Sequence, residues 1–259
     1  MSSIDHYENF PVASWLCPAS LRPAVLAIYH FARTADDLAD EGSDPAHHRL
    51  QILGEYRADL QACLTGKNSI SHRWPQVFGP LLEAIQQYRL PTPALFDLLD
   101  AFEQDVVYTS VGQIYRNRAE LLDYCRRSAN SVGRLMLHLY GVNDSTALSQ
   151  SDAICTALQL INLWQDRSED LLNGRDYLPS GHMLADELKF ARTLMMQGAP
   201  LARHIKGMAG WEVRAVVQGG LRILDKLEAR VETPDHTRLT RPVLNKLDMV
   251  RIFWRCIRM

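Results

Sequence analysis

Two acidic stripes at helical spacing, far apart in the chain, constrain this sequence more than anything else in it. In Gln159-Leu-Ile-Asn-Leu-Trp-Gln-Asp-Arg-Ser-Glu-Asp170, Asn162, Asp166 and Asp170 recur every fourth residue, which stacks them on one face of a helix. In Arg33-Thr-Ala-Asp-Asp-Leu-Ala-Asp-Glu41, Asp36 and Asp40 repeat the spacing. A single acidic residue on a helix is ordinarily a solvated surface charge. Here the second stripe lies above the apolar run Ala157, Leu158, Leu160 and Ile161, with Leu163 and Trp164 beside it. Burying such a stripe without partners is costly. Two acidic faces meeting across a cavity would form an oxygen cage for a hard divalent cation. Mg²⁺ suits it, because it takes few carboxylates and shares its remaining positions with water and phosphate. Asp36, Asp40, Asn162, Asp166 and Asp170 are the candidate ligands; Asp37 and Glu41 are the outer members, free to face solvent.

Such faces need helices, and the rest of the chain supplies them. Pro23 stands at a first helical position, and Val25, Ile28, Tyr29, Ala32 and Ala35 follow at three-and-four spacing up to a stop at Gly42. Helical patterns are predicted over 45–65, 75–89 and 93–108, the last opened by Thr92 as cap and Pro93. A long pattern over 117–140 contains the small, helix-indifferent run Ser128-Ala-Asn-Ser-Val-Gly133, which lets the helix bend or another group approach. Asn143 to Ser145 reads as a turn. Further helices are expected over 147–172, 183–197, 201–230 and from 243 to the end, with a break at Pro234. No alternating β pattern, repeat or low-complexity run is present. The reading is all-α: one domain of 259 residues, a helical bundle with an N-terminal segment over 1–19 and a basic, aromatic end over 240–259.

Composition excludes some functions. A net charge of −2 and the lack of any nucleic-acid motif give no reason to expect DNA or RNA. Five scattered cysteines without zinc spacing read as reduced thiols of a cytoplasmic protein. The polar start lacks a signal-peptide apolar region, and no apolar run approaches the roughly 20 residues of a membrane span. No Gly-rich dinucleotide motif follows a strand, so NADPH is not expected.

Other candidates surround the stripes. Arg33 shares a face with Asp36 and Asp40, either as a helix-stabilising ion pair or as a phosphate clamp. Arg175 and Tyr177, in Gly174-Arg-Asp-Tyr-Leu-Pro179, read either as a lid over a bound diphosphate or, for Arg175, as a helix-terminal charge. Tyr124 is a core aromatic or, with Asn130, a group that positions water. Tyr29, Ala129, Val132 and Gly133 are candidates to line an apolar tunnel. The C-terminal Arg251-Ile-Phe-Trp-Arg-Cys-Ile-Arg-Met259 is a docking end-helix or a membrane-surface contact on the inner face of the membrane.

Together these motifs resemble the squalene and phytoene synthase family, from His6 to the last helix. Phe31 through Glu41 resembles its first aspartate-rich motif, Asn162 through Asp170 its second, Gly174 through Pro179 its Gly-Arg-x-Tyr-Leu-Pro, and Tyr124 with Ser128–Gly133 its central helix. The resemblance implies an isoprenoid-synthase bundle around a central cavity, three Mg²⁺ ions bound with diphosphate, and isoprenoid diphosphate substrates. It carries the five oxygen ligands over as metal-binding and Arg33 and Arg175 as diphosphate partners. Two departures narrow the expectation. Gln165 stands where many condensing members have Arg, and Tyr7 and Asn9 replace a Ser-x-Ser. These features resemble the branch that takes presqualene diphosphate and water to hydroxysqualene, upstream of a squalene-forming oxidoreductase. The alternatives are head-to-head condensation of two farnesyl diphosphates and a non-catalytic partner subunit; intact ligands argue against the latter.

Overall fold

The computed structural model describes residues 16–40, 44–66, 71–232 and 241–259. The expectations placed on His6, Tyr7, Asn9, Glu41, Gly42 and Pro234 lie outside them. Among the described residues every regular element is a helix. The first four are α1 (Arg22–Asp40), α2 (Ala46–Leu64), α3 (Pro75–Tyr88) and α4 (Pro93–Val111). Then come α5 (Arg118–Cys125), a π-helical turn (Arg126–Asn130) and α6 (Ser131–Leu139). The chain continues through α7 (Ser145–Leu172), α8 (Leu184–Gly198), α9 (Leu201–His204), α10 (Gly207–Glu232) and α11 (Lys246–Arg258).

Two apolar cores share this bundle. One joins α1 to α4, with Phe31, Tyr56 and Phe78 fully buried at its centre. The other joins α5 and α7 to α10 and takes in Ala101 of α4. The Tyr56 hydroxyl donates to the Phe31 carbonyl (3.1 Å), which satisfies a phenol that the first core otherwise isolates. Helix α7 packs against α8, the π turn, α6 and α10, so it runs through the middle of the molecule.

Local chemistry explains most boundaries. Asp144 caps α7, accepting from the Ala147 amide at 2.9 Å, so Ser145 is helical rather than part of the preceding turn. Asn245 and Asp248 form a reciprocal capping box at α11. Other expectations change. Thr92 already has helical dihedrals and makes no side-chain cap, and α4 runs on to Val111, ending at Gly112 in the left-handed region (φ 60°). The stretch 201–230 is two helices, because Gly207 turns left-handed (φ 72°) and lets the chain restart. The stretch 117–140 is interrupted by the π turn at its small, polar middle, where an extra residue is accommodated per turn. Just beyond that turn, Gly133 lets α6 meet α7 closely: a Cβ there would stand 2.5 Å from Cys155 Sγ and 2.7 Å from Ser151 Oγ.

Candidate active site

Helices α1 and α7 show the same gradient along their length. Val25, Ile28, Tyr29 and Ala32 of α1 line an apolar cavity of about 560 Å³; Asp36 and Asp40 stand one and two turns further on. Ser151, Ile154, Cys155, Leu158 and Asn162 of α7 line the same cavity, and Asp166 and Asp170 follow one and two turns beyond. The wall is completed by Val132, Gly133, Met136 and Leu137 of α6 and by Val213 and Val216 of α10. Acidic faces on two helices therefore stand at one end of one apolar chamber.

Arg175 joins them. Its Nη1 donates to both carboxylate oxygens of Asp40, at 2.8 and 2.9 Å, and its Nε lies 3.7 Å from Asp170 Oδ1. Gly174, left-handed at φ 75°, makes the turn that sends Arg175 back over the end of α7, and the Arg175 amide bonds the Asp170 carbonyl (2.8 Å). A second, polar cavity of about 380 Å³ borders this bridge, lined by Asp40, Arg49, Thr109 and Arg175 among others. Arg33 pairs with Asp36 (2.9 Å) and Asp37 (2.7 Å), so its ion-pair reading holds in this geometry. Asp166 pairs with Arg241 (2.5 Å), a partner from the segment before α11 that no sequence motif marks.

The electrostatics fit a site that wants positive charge. Burial pushes Asp36 up to about 6, and the neighbouring Asp40 carboxylate adds to it. Asp170 also rises to about 6, by burial against the opposing pull of Arg175. Asp166 is raised by burial, with Arg241 opposing. Among the described residues no three His, Cys, Asp or Glu side chains stand close enough to hold an ion as they are. The donors are all oxygen, the set a hard cation takes, but in this arrangement guanidinium groups supply the positive charge between the carboxylates.

Behind the acidic faces lies a cluster that the sequence reading missed. Asp105 of α4 is buried, accepts from the Tyr124 hydroxyl at 2.5 Å and lies 3.4 Å from the Tyr177 hydroxyl. Tyr115 stacks on Tyr177 with ring centroids 5.9 Å apart. Burial pushes the Asp105 carboxyl up to about 7, against the Tyr124 hydrogen bond, and lifts the Tyr124 phenol well above its ordinary value. A signal was present: Asp105 follows Leu98, Leu99 and Phe102 on the apolar face of α4, where a carboxylate has no ordinary reason to be.

The other sequence candidates divide. Tyr29, Val132, Gly133 and Asn162 line the apolar cavity. Ala129 is half-buried in the π turn and is not part of that lining. The Asn130 side-chain oxygen accepts from Thr156 Oγ1 (2.9 Å), tying the π turn to α7. Tyr124, held by Asp105, is likewise outside the cavity wall, so the structure places neither candidate water-positioning group at it. Tyr177 belongs to the tyrosine cluster, and only Arg175 of its loop reaches across the acidic faces. Gln165 is buried and donates to the Pro242 carbonyl (2.6 Å), pointing toward the C-terminal segment.

An all-helical bundle with two acidic helix faces at one end of an apolar chamber is the architecture of isoprenoid-synthase-type proteins. Comparisons with known proteins agree. The family profile described as squalene/phytoene synthase matches residues 5–186. A crystal structure of squalene synthase HpnC from Alicyclobacillus acidocaldarius superposes with a TM-score of 0.76 and 30% identity, covering 89% of this chain and 91% of that one. The hydroxysqualene synthase of Zymomonas mobilis is 40% identical over 185 residues, 69% of this chain and 57% of that protein. The presqualene diphosphate synthase of the same bacterium is 30% identical over 172 residues, 66% of this chain and 56% of that protein. The chain belongs to the squalene/phytoene synthase family. Its alignments span little more than half the length of these two relatives.

Proposed function

We propose that this chain converts presqualene diphosphate and water to hydroxysqualene and diphosphate. The observation that carries the reading is the bridge of Arg175 between Asp40 and Asp170 at one end of the apolar cavity. Greater similarity to a hydroxysqualene synthase than to a presqualene diphosphate synthase from one organism supports the branch. Asp36, Asp40, Asn162, Asp166 and Asp170 would hold Mg²⁺, which stabilises negative charge on a departing diphosphate. Arg175 and Arg33, already at these faces, are placed to exchange their carboxylate partners for diphosphate oxygens, for which the guanidinium fork is suited.

The chamber holds the isoprenoid chains against Tyr29, Val132, Gly133 and the α10 wall. Heterolysis of the carbon–oxygen bond sends its electron pair to diphosphate and leaves a cyclopropylcarbinyl cation among apolar side chains. The cation rearranges, a water oxygen adds to it, and the extra proton leaves to diphosphate or solvent. The demand on the protein is exclusion of bulk water rather than a strong base. No reduction occurs, so no NADPH is consumed. The apolar product suits uptake by a squalene-forming oxidoreductase and contact with a membrane surface.

The test is product identification by mass spectrometry after incubation with Mg²⁺ and presqualene diphosphate, without NADPH, beside a tube of farnesyl diphosphate alone. Hydroxysqualene in the first tube and nothing in the second is expected. Presqualene diphosphate or squalene from the second would make the chain a condensing synthase. No product in either, with no thermal stabilisation by Mg²⁺ and pyrophosphate, would favour a non-catalytic partner subunit.

A further inference from the structure

Helix α11 is fastened by a narrow face and leaves a broad apolar one uncovered. Asp248, Ile252 and Cys256, each one turn from the next, are buried. Asp248 pairs with Arg222 (2.6 Å) and with Lys226 of α10. On the outward side Leu247, Met249, Val250, Phe253, Trp254 and Ile257 are all exposed, Leu247 at 73% and Phe253 at 60%. At 100° per residue these six fill one arc about 160° wide. Arg251, Arg255 and Arg258 run along one edge of the arc, and Lys246 lies within it. Arg255 reaches Asp225 (3.4 Å), while Arg251, Arg258 and Lys246 make no ion pair among the described residues. The helix has one acidic residue, Asp248, and that is on the buried face.

We propose that α11 docks this protein on an anionic lipid bilayer, its six apolar side chains entering the headgroup–acyl boundary and its arginines meeting lipid phosphates. A wide apolar face with aromatic residues and a cationic border is the pattern of an interfacial helix. Charge argues against a second copy as the occupant, because an isologous contact through this face would bring its own uncompensated arginines together. The end of α11 also adjoins the cavity wall. Gln218 of α10 contacts Met259 (Nε2 to Sδ 3.5 Å), and Val213 and Val216, just before it, line the chamber. Docking therefore holds α10, whose other side faces the chamber, next to the helix that meets the lipid phase from which an isoprenoid partitions. This consequence rests on the proposed isoprenoid activity; the docking surface itself does not.

The experiment is sedimentation of the full chain with vesicles of phosphatidylcholine alone and of phosphatidylcholine mixed equally with phosphatidylglycerol. The parent is compared with the double variants Phe253→Asp/Trp254→Asp and Arg251→Glu/Arg258→Glu. Because all four side chains are exposed, melting temperatures should stay near the parent's. The parent should bind the mixed vesicles far better than the neutral ones. Each double variant should lose roughly tenfold or more in partitioning, and salt should weaken the parent. Light scattering on the same samples reports oligomeric state. A parent that stays in the supernatant, variants that sediment like the parent, or a dimer dissolved by Phe253→Asp/Trp254→Asp would each overturn the proposal. Turnover on detergent-dispersed presqualene diphosphate separates the two claims: activity without vesicle binding refutes docking alone.

Discussion

Replacing Asp105 by asparagine should stabilise the protein at mildly alkaline pH and leave it nearly unchanged in acid. The carboxyl is buried in α4 beneath the acidic faces, with the Tyr124 hydroxyl at 2.5 Å as its main partner. Burial raises it from an ordinary 3.8 to about 7, so the folded state holds this proton more tightly than the unfolded chain does. The sign follows from linkage. Below about pH 4 the group is protonated in both states and contributes no difference. As pH rises from there toward 7 the unfolded chain ionises first, and stability falls. The full loss, reached above about pH 7, is on the order of 4 kcal/mol at about 1.4 kcal/mol per pKa unit. Asparagine has the same shape, cannot ionise and keeps an oxygen for Tyr124. In a chain of this size a few kcal/mol moves the melting temperature by roughly 10 °C. Melting curves of parent and Asp105→Asn from about pH 5 to pH 8 should diverge, the variant melting higher at the alkaline end. Parallel profiles, or a variant less stable at every pH, would refute the reasoning that burial dominates this carboxyl.

Other substitutions probe the bridge, the close approach and the branch. Arg175→Ala should lower kcat/KM by roughly a hundredfold, the loss expected for a charged group that acts on a leaving diphosphate; its melting temperature should fall only modestly, because Asp40 is solvent-exposed and the largely buried Asp170 stands 3.7 Å away. Steady-state kinetics beside a melting curve checks both halves. Gly133→Ala should cost about 1–3 kcal/mol, read by denaturant unfolding, because its Cβ would meet Cys155 and Ser151 below 3 Å. Gly54→Ala, on the exposed side of α2 with nothing within 4 Å, should instead add about 0.5–1 kcal/mol. Gln165→Arg should destabilise by about 1–3 kcal/mol and loosen the 241–245 segment without conferring condensation of farnesyl diphosphate, since Gln165 is packed against Pro242. Squalene or presqualene diphosphate from that variant would return Gln165 to the substrate site.

The acidic stripes were legible because four-residue spacing leaves a helix little freedom in where its side chains point, and the apolar run beneath them placed them beside a core. The π turn was legible as a run of small polar residues, though not as a π turn, which depends on how α5 and α6 meet α7. Tyr29 could be assigned to a wall because it precedes Asp36 by two turns on the same helix; Ala32, one turn before Asp36, joins it there. What the sequence hid was long-range. Arg241 reaches Asp166 from beyond a segment with no periodic pattern, and Gln165 turns toward Pro242 rather than toward the acidic face. Tyr124 is buried, as its reading as a core aromatic expects, but its partner Asp105 and the Asn130 partner Thr156 lie on other helices, which left the water-positioning reading open from sequence. The break before Gly207 was hidden for a different reason. Apolar spacing continues across it, and glycine alone does not announce a left-handed turn.

Capture of the cation by water is tested by a single incubation with presqualene diphosphate and Mg²⁺ in water enriched in heavy oxygen, followed by mass spectrometry of the isoprenoid product. Hydroxysqualene carrying one heavy oxygen, formed without NADPH, is expected, because solvent water captures the cation after diphosphate departs. An unlabelled hydroxysqualene, in which the oxygen came from the diphosphate, would contradict it, and so would recovery of unreacted substrate from a folded enzyme.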